Sequence, residues 1–189
     1  MECLERYAAF LFAYNRKINL VSRHMNRSQF DVLLRESLLV ANILTADSIV
    51  DVGSGNGVLG ISIALTKPHK NVVLVETMQK KALFLREAIV HLELINATVY
   101  NGPIQEYLRD EFASILGLAA RGFPRNDLLC QYVNRGKICE LVLITAESKI
   151  KKIRGNMENV SQSLYNIPWR SDIKIVKLEH VSRETKKNG

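Results

Sequence analysis

The chain has no apolar run near the roughly 20 residues that cross a bilayer, so a helical membrane span is excluded. Its start, Met1-Glu2-Cys3-Leu4-Glu5-Arg6, has neither the basic region nor the apolar stretch of a secretory signal, and a cytoplasmic protein is expected. Cysteine is scarce. Cys3, Cys130 and Cys139 form no CxxC pair and cannot all be bridged within one chain, which argues against a disulfide framework or a zinc site. The histidines, His24, His69, His91 and His180, stand apart from one another, so no metal is expected. There is no internal repeat and no long linker, and the 189 residues read as one domain. No heptad run is present either, which makes a monomer the default.

Hydrophobic residues at 47% and charged residues at 24% are the proportions of a folded, soluble chain rather than a disordered one. The net charge of +7 is uneven. Residues 149–189 hold ten Lys/Arg against four Asp/Glu, while residues 1–148 hold sixteen against fifteen. A polyanionic partner and a merely solvated basic surface both fit that asymmetry.

Leu4, Tyr7, Phe10, Leu11, Tyr14 and Ile18 lie at helical spacing, and a second helical pattern runs from Phe30 to Leu44. Residues 1–46 therefore read as an N-terminal helical cap, and 47–189 as an α/β core with a basic C-terminal part. In that core, short β-branched runs alternate with helical stretches, the pattern of a parallel sheet with crossover helices. Strands are predicted at Ile49–Val52, Val72–Val75, Ala97–Tyr100, Ile115–Leu118 and Ile138–Thr145. Helices are predicted at Val58–Thr66, Met78–Leu94 (with Leu83, Phe84, Ile89 and Val90 inward) and Glu147–Leu164. Ile173–Leu178 alternates Ile/Val with Lys, as a last strand near a sheet edge should.

The chemistry-bearing stretch is Asp51-Val52-Gly53-Ser54-Gly55-Asn56-Gly57-Val58-Leu59-Gly60, placed between the first strand and its helix. Glycines there let the backbone turn sharply and approach a ligand, and the free amides of the helix start favour a negative group. Glu76 ends the next strand, where a carboxylate can accept from both ribose hydroxyls. Gly55-x-Gly57-x-x-Gly60 with Glu76 matches the dinucleotide fingerprint, so an NAD-binding oxidoreductase fits the spacing. That fingerprint is weak alone, however, and an acid and a further glycine precede it: Asp51-x-Gly53-x-Gly55-x-Gly57 is similar to the first motif of methyltransferases that use S-adenosylmethionine.

Flanking residues add a more specific resemblance. Tyr14-Asn15-Arg16-Lys17-Ile18-Asn19-Leu20-Val21-Ser22, Ile49 to Ile61 around the loop, Lys80-Lys81-Ala82-Leu83-Phe84-Leu85-Arg86 and Leu92 to Val99 together resemble the GidB/RsmG family of small-subunit rRNA guanine-N7 methyltransferases. The match runs over about residues 14–107. It implies a Rossmann-like sheet that binds S-adenosylmethionine and acts on small-subunit ribosomal RNA. It also implies cofactor contacts from Gly53, Val58 and Glu76, and from Ile104 and Gln105 at the adenine end; the glycine loop adds Asp51, Ser54, Gly55 and Gly57 to the candidate cofactor set. Glu76 stands where the family usually has aspartate.

The chain departs from the family at several positions. The family's His-x-x-Asp-Ser falls on Glu36, Leu39 and Val40. An arginine after the third strand falls on Pro103, and the arginine of a Ser-Arg-Ala motif falls on Leu118, with Arg121 close by as a substitute. A lysine at the end of the fifth strand falls on or next to Thr145, and no usual closing strand is evident beyond Leu178. Guanine N7 carries a lone pair and no proton, so methyl transfer to it needs alignment more than a general base, and no catalytic side chain is assigned. The candidate RNA contacts are Arg121 and the basic run Lys149, Lys151, Lys152 and Arg154, with Arg170, Lys174 and Lys177 further on. Trp169 and Tyr165 are weighed as base-stacking rings against core residues, and core is the commoner fate of a lone tryptophan beside a strand. The second functional reading is a catalytically degenerate RNA- or ribosome-binding protein that keeps the methyltransferase fold.

Overall fold

The computed structural model describes residues 2–110, 116–122, 126–153, 157 and 159–181. The N-terminal apolar stripe forms α1 (Glu2–Tyr14), burying Tyr7, Ala8 and Leu11. Helix α2 (Arg27–Ile43) begins at a capping box, in which the Asn26 side chain accepts from Gln29 N–H and the Gln29 side chain accepts from Asn26 N–H. Between them, Asn15 Oδ1 accepts from the amides of Leu20 and Val21 at 2.8 and 3.0 Å. That side chain, with backbone bonds from Lys17 and Ile18 to Tyr14 O and from Met25 to Ser22 O, gives the loop a fixed course.

The core elements follow as β1 (Ser48–Val52), α3 (Val58–Thr66), β2 (Asn71–Glu76), α4 (Gln79–His91), β3 (Ala97–Asn101), α5 (Ile104–Asp110) and β4 (Leu116–Arg121). They continue as α6 (Asn126–Asn134), β5 (Glu140–Ala146), α7 (Glu147–Ile153), β6 (Val160–Ile167) and β7 (Arg170–His180). The sheet order is β3-β2-β1-β4-β5-β7-β6. The first five are parallel, and β7 runs antiparallel to both β5 and β6. Both faces are covered, which is why β1 is buried at four of its five residues. Ile49, Leu74 and Ala119 face the layer that includes Tyr7, Phe30, Ile61 and Phe84, whereas Val50, Val75 and Leu118 face Leu108, Leu129 and Ile150.

Three sequence expectations change. Of the predicted helix Glu147–Leu164, Glu147–Ile153 is α7, and Val160–Ile167 is an edge strand instead. Ile150, Ile153, Met157, Val160 and Leu164 fall at steps of three and four, so their apolar register imitates a helix. Pairing with β7 from Val160↔His180 onward decides otherwise. The strand expected at Ile173–Leu178 is β7, but it is interior, between β5 and β6, and this hairpin supplies the closure that seemed to be missing. On α4 the inward residues are Ala82, Phe84, Leu85 and Ala88, while Leu83 and Val90 are exposed. Helices α5 and α6 are additions to the predicted set; α6 is amphipathic and buries Leu129, Cys130 and Val133. Ile115, the first residue of the predicted fourth strand, lies outside the described residues.

At the amino edge of the sheet a buried ion cluster ties the two ends of the fold together. Glu140 accepts from Thr45 N–H (2.8 Å), Ala46 N–H (2.6 Å) and the Thr45 hydroxyl (2.9 Å). Lys177 of β7 reaches the same carboxylate at 3.0 Å. Burial alone would lower the Lys177 amine, but Glu179 and Glu140 outweigh it and hold its pKa above the ordinary lysine value. Lys70 donates to the carbonyls of Thr45 and Ala46. Lys177 is therefore a packed structural cation and not a free phosphate contact.

Candidate functional site

Strand order reverses between β1 and β4, and open α/β sheets place ligands at such a switch point, beyond the carboxyl ends of the strands. The glycine loop leaves β1 there. Gly53, Gly55 and Gly57 take φ of 72°, 58° and 80°, a region that side-chain-bearing residues rarely adopt. Gly57 begins α3 without a side-chain cap, and a Cβ on it would come within 2.6 Å of Ile61 Cδ1 and 2.7 Å of Leu85 Cδ2. The turn is braced from both sides: Ser54 Oγ donates to Asp51 O at 2.9 Å, and the Tyr7 hydroxyl of α1 donates to Asn56 O at 2.6 Å.

Asp51 Oδ2 accepts from Gly60 N–H at 3.0 Å, so its carboxylate fastens the strand to the first turn of α3. Burial pushes the Asp51 carboxyl up to about 7, more than the Gly60 amide and the nearby Arg121 draw it down. Glu76, at the end of β2, accepts from Gly55 N–H at 2.8 Å with one oxygen and from Met78 N–H at 2.8 Å with the other. The β2–β3 register sets Glu76 opposite Asn101, whose amide donates to Glu76 O at 2.8 Å. The start of α5, with Ile104 buried and Gln105 half-buried, follows directly from that corner.

A cleft of about 210 Å³ opens here, and its walls include Asp51, Gly53, Ser54, Gly55 and Val58 of the predicted cofactor set. Arg121, Leu20 and Lys81 complete it on other sides. Gly57, Glu76, Ile104 and Gln105 do not line that cleft. Glu76 reaches it through Gly55, and Gly57 supports it from beneath. Leu20 and Lys81 were not assigned a role from sequence, although both lie inside the segments that carry the family resemblance.

Arg121 ends β4 at the carboxyl edge, whereas Leu118 is sealed inside the same strand between Val50 and Leu141. The guanidinium of Arg121 donates to Glu36 of α2 and, at 3.3 Å, to Leu33 O. Glu36 is fully buried, and Arg170 stands 3.8 Å from its other oxygen. A desolvated carboxylate needs a cation, so Arg121 is held by the protein and is not a free RNA anchor as expected. Lys149 is exposed on α7. Lys151 and Lys152 share that helix but their side chains, and all of Arg154, lie outside the described residues. Trp169 sits in the β6–β7 turn and is 40% exposed, not core.

Among the described residues no helix is long and apolar enough to cross a membrane, and no group of three or more His, Cys, Asp or Glu could hold a metal. Fold neighbours include an O-methyltransferase from Bacillus cereus solved in complex with SAH (TM-score 0.66, 16% identity, 94% of this chain and 91% of that one). A methyltransferase from Geobacter sulfurreducens has a TM-score of 0.64 at 15% identity, over 94% and 89% of the two chains. At such identities the likeness establishes a Rossmann-like methyltransferase fold. Ribosomal RNA small subunit methyltransferase G of Colwellia psychrerythraea is 27% identical over 170 residues, 88% of this chain and 77% of that protein. Its namesake from Xanthomonas euvesicatoria is 41% identical over 118 residues, 62% and 55% respectively. The family model described as GidB, rRNA small subunit methyltransferase G, matches residues 1–168, and the chain belongs to that family.

Proposed function

We propose that the chain is an S-adenosylmethionine-dependent methyltransferase acting on guanine N7 in small-subunit ribosomal RNA, as a monomer in the cytoplasm. The observation that carries this reading is the link from Glu76 to Gly55, which orients an acid from the second strand against the glycine turn of the first. Family membership supports the RNA substrate, and free Cys3, Cys130 and Cys139 support a reducing compartment.

The residues present fit the cofactor. A carboxylate offers about four acceptor positions, and the bonds to Glu76 leave room for a ribose hydroxyl. The backbone of Gly53 and Gly55 is open to close approach, and the buried side chain of Ile104 supplies an apolar border to the same corner. When bound, S-adenosylmethionine supplies a methyl group on a sulfonium. The chain's own residues then align and exclude: Leu20 and Val58 shield the cleft from water, and Asp51 keeps the loop in register with α3. Because N7 brings no proton to remove, positioning accounts for the chemistry asked of the protein.

A second reading has an observation of its own. Glu36 engages the guanidinium at the rim, as expected if the substrate side had been rebuilt for binding alone. Calorimetric titration with S-adenosylmethionine and NAD, followed by labelled methyl transfer to purified small subunits and nucleoside analysis, separates the possibilities. Cofactor binding with 7-methylguanosine formation is the expected result. Cofactor binding without transfer establishes the degenerate RNA-binding reading, and NAD binding alone removes both.

A further inference from the structure

The basic residues that stand out in the sequence crowd its C-terminal part, yet among the described residues a cationic surface free of acids lies elsewhere. Three cavities of about 570, 510 and 540 Å³ share walls along the loop between α1 and α2. Asn19 and Arg23 line both the first and the second, and Ser22 and His24 both the second and the third. The first cavity is lined by Arg16, Lys17, Arg23, Lys80 and Lys81. The third carries Arg35, Arg170 and the indole of Trp169. No Asp or Glu lines any of the three.

Most of these cations are uncommitted. Among the described residues Arg16, Arg23, Arg35, Lys80 and Lys81 have no carboxylate partner, whereas Arg170 is paired with Asp172. Five like charges without an acid repel one another, and a phosphate backbone relieves that repulsion by neutralising them. At the far end, Trp169 is 40% exposed and shares the third cavity with Arg35 and Arg170, an arrangement that suits a stacked base. The trough also meets the cofactor cleft: Lys81 is common to the first cavity and the cleft, and Leu20 to the second cavity and the cleft.

We infer that these three cavities form one docking trough for a single-stranded stretch of RNA. Phosphates run along Arg16, Lys17, Arg23 and Lys80, a base stacks on Trp169, and the target nucleotide turns from the middle of the trough past Leu20 and Lys81 into the cleft. The inference rests on the RNA-methyltransferase reading and locates its substrate. It also explains why Asn15 fixes residues 20 and 21 so firmly, since that loop is the floor of the path.

Trp169 is the only tryptophan in the chain, so its fluorescence reads the trough without any substitution. The native protein is titrated with an unstructured 12-nucleotide RNA and with a duplex of the same composition, across a range of salt. The expected result is quenching by the single strand. Arg16→Gln, Arg23→Gln and Lys80→Gln combined should lower the slope of log affinity against log salt by about 2, from ~0.7 per phosphate contact. Methyl transfer to small subunits is measured on the same preparation. Transfer with unquenched Trp169 and an unchanged slope overturns the trough while leaving the enzyme reading intact. Equal quenching by duplex overturns the single-strand assignment, and so does a slope change carried instead by Lys149→Gln, Lys151→Gln and Lys152→Gln. Absence of both RNA binding and transfer overturns the trough together with the reading beneath it.

Discussion

Arg121, at the end of β4, holds the carboxylate of Glu36, a residue of α2 with no solvent exposure. The two positions are 85 apart in sequence, and the pair ties one wall of the cleft at the glycine loop to the second N-terminal helix. Removing one member leaves a desolvated charge behind. Arg121→Met is expected to cost about 3 kcal/mol, the low end of the range for a broken buried pair, because Arg170 lies near enough to compensate in part. Glu36→Gln combined with Arg121→Met should recover most of that loss. Urea denaturation of the two single variants and the double variant checks the coupling, and strictly additive losses would show that the pair contributes no interaction of its own.

The glycines of the loop divide by mechanism. A Cβ at Gly60 would lie 2.1 Å from Leu74 Cδ2 and 2.8 Å from Asp51 Oδ2, so Gly60→Ala overpacks the seam between strand and helix. Its loss should reach about 3 kcal/mol or more. At Gly55 the nearest atom is Gly53 O at 3.7 Å, so the cost of Gly55→Ala is backbone strain from φ of 58°, about 1–2 kcal/mol. Denaturation midpoints should rank Gly60→Ala as the less stable. Calorimetry should find Gly55→Val defective in cofactor binding, and unchanged affinity there would move the cofactor away from this turn.

Glu76→Ala strips the acceptor from the amides of Gly55 and Met78. Cofactor affinity should fall by roughly 1.5–3 kcal/mol, the range for a hydrogen bond to a charged group. Glu76→Asp shortens the side chain yet keeps the charge, and should retain more affinity than the alanine variant. Equal affinities for the three proteins would mean that the acid only shapes the loop.

Asp51 sets a pH dependence of definite sign. Its carboxyl is raised to about 7 in the folded chain from 3.8, so its contribution to stability is fully present below about 4 and is lost as pH rises through 7. The difference corresponds to roughly 4 kcal/mol. Asp51→Asn keeps an oxygen for Gly60 N–H and cannot ionise. Thermal midpoints of wild type should therefore fall relative to this variant between about pH 4 and 7 and level off above, and parallel profiles would show that folding does not raise the Asp51 carboxyl.

The sequence made β1, β2, β3, β5 and the glycine loop legible because their signals are local: β-branched runs, a glycine turn at a strand end, and an acid one strand later; β4, which has no β-branched residue, runs to Arg121, past the predicted end at Leu118. The helix Val58–Thr66 is found with the predicted ends. Of the C-terminal hairpin, β7 was legible from its alternation, whereas β6 was not, because its apolar residues continue the helical spacing of α7 and only pairing with β7 decides the outcome. The same holds for the site. Glu76 and the glycines could be placed from motif spacing, whereas the hold of Glu36 on Arg121 and the exposure of Trp169 depend on contacts between distant segments. Arg16, Lys17, Arg23, Lys80 and Lys81 were visible as letters, but their convergence on one trough is a property of the fold.

The cluster around Glu140 bears on how the chain is finished during synthesis. Lys177, which neutralises Glu140, leaves the ribosome 37 residues after it, and until then a carboxylate destined for the interior has only Thr45 and Ala46 for company. A nascent chain that stops before β7 carries an unneutralised interior charge and an open strand at β5. Protease protection of ribosome-bound chains should therefore appear abruptly once β7 has emerged, and the junction of the N-terminal helices with β1 should become resistant at the same step.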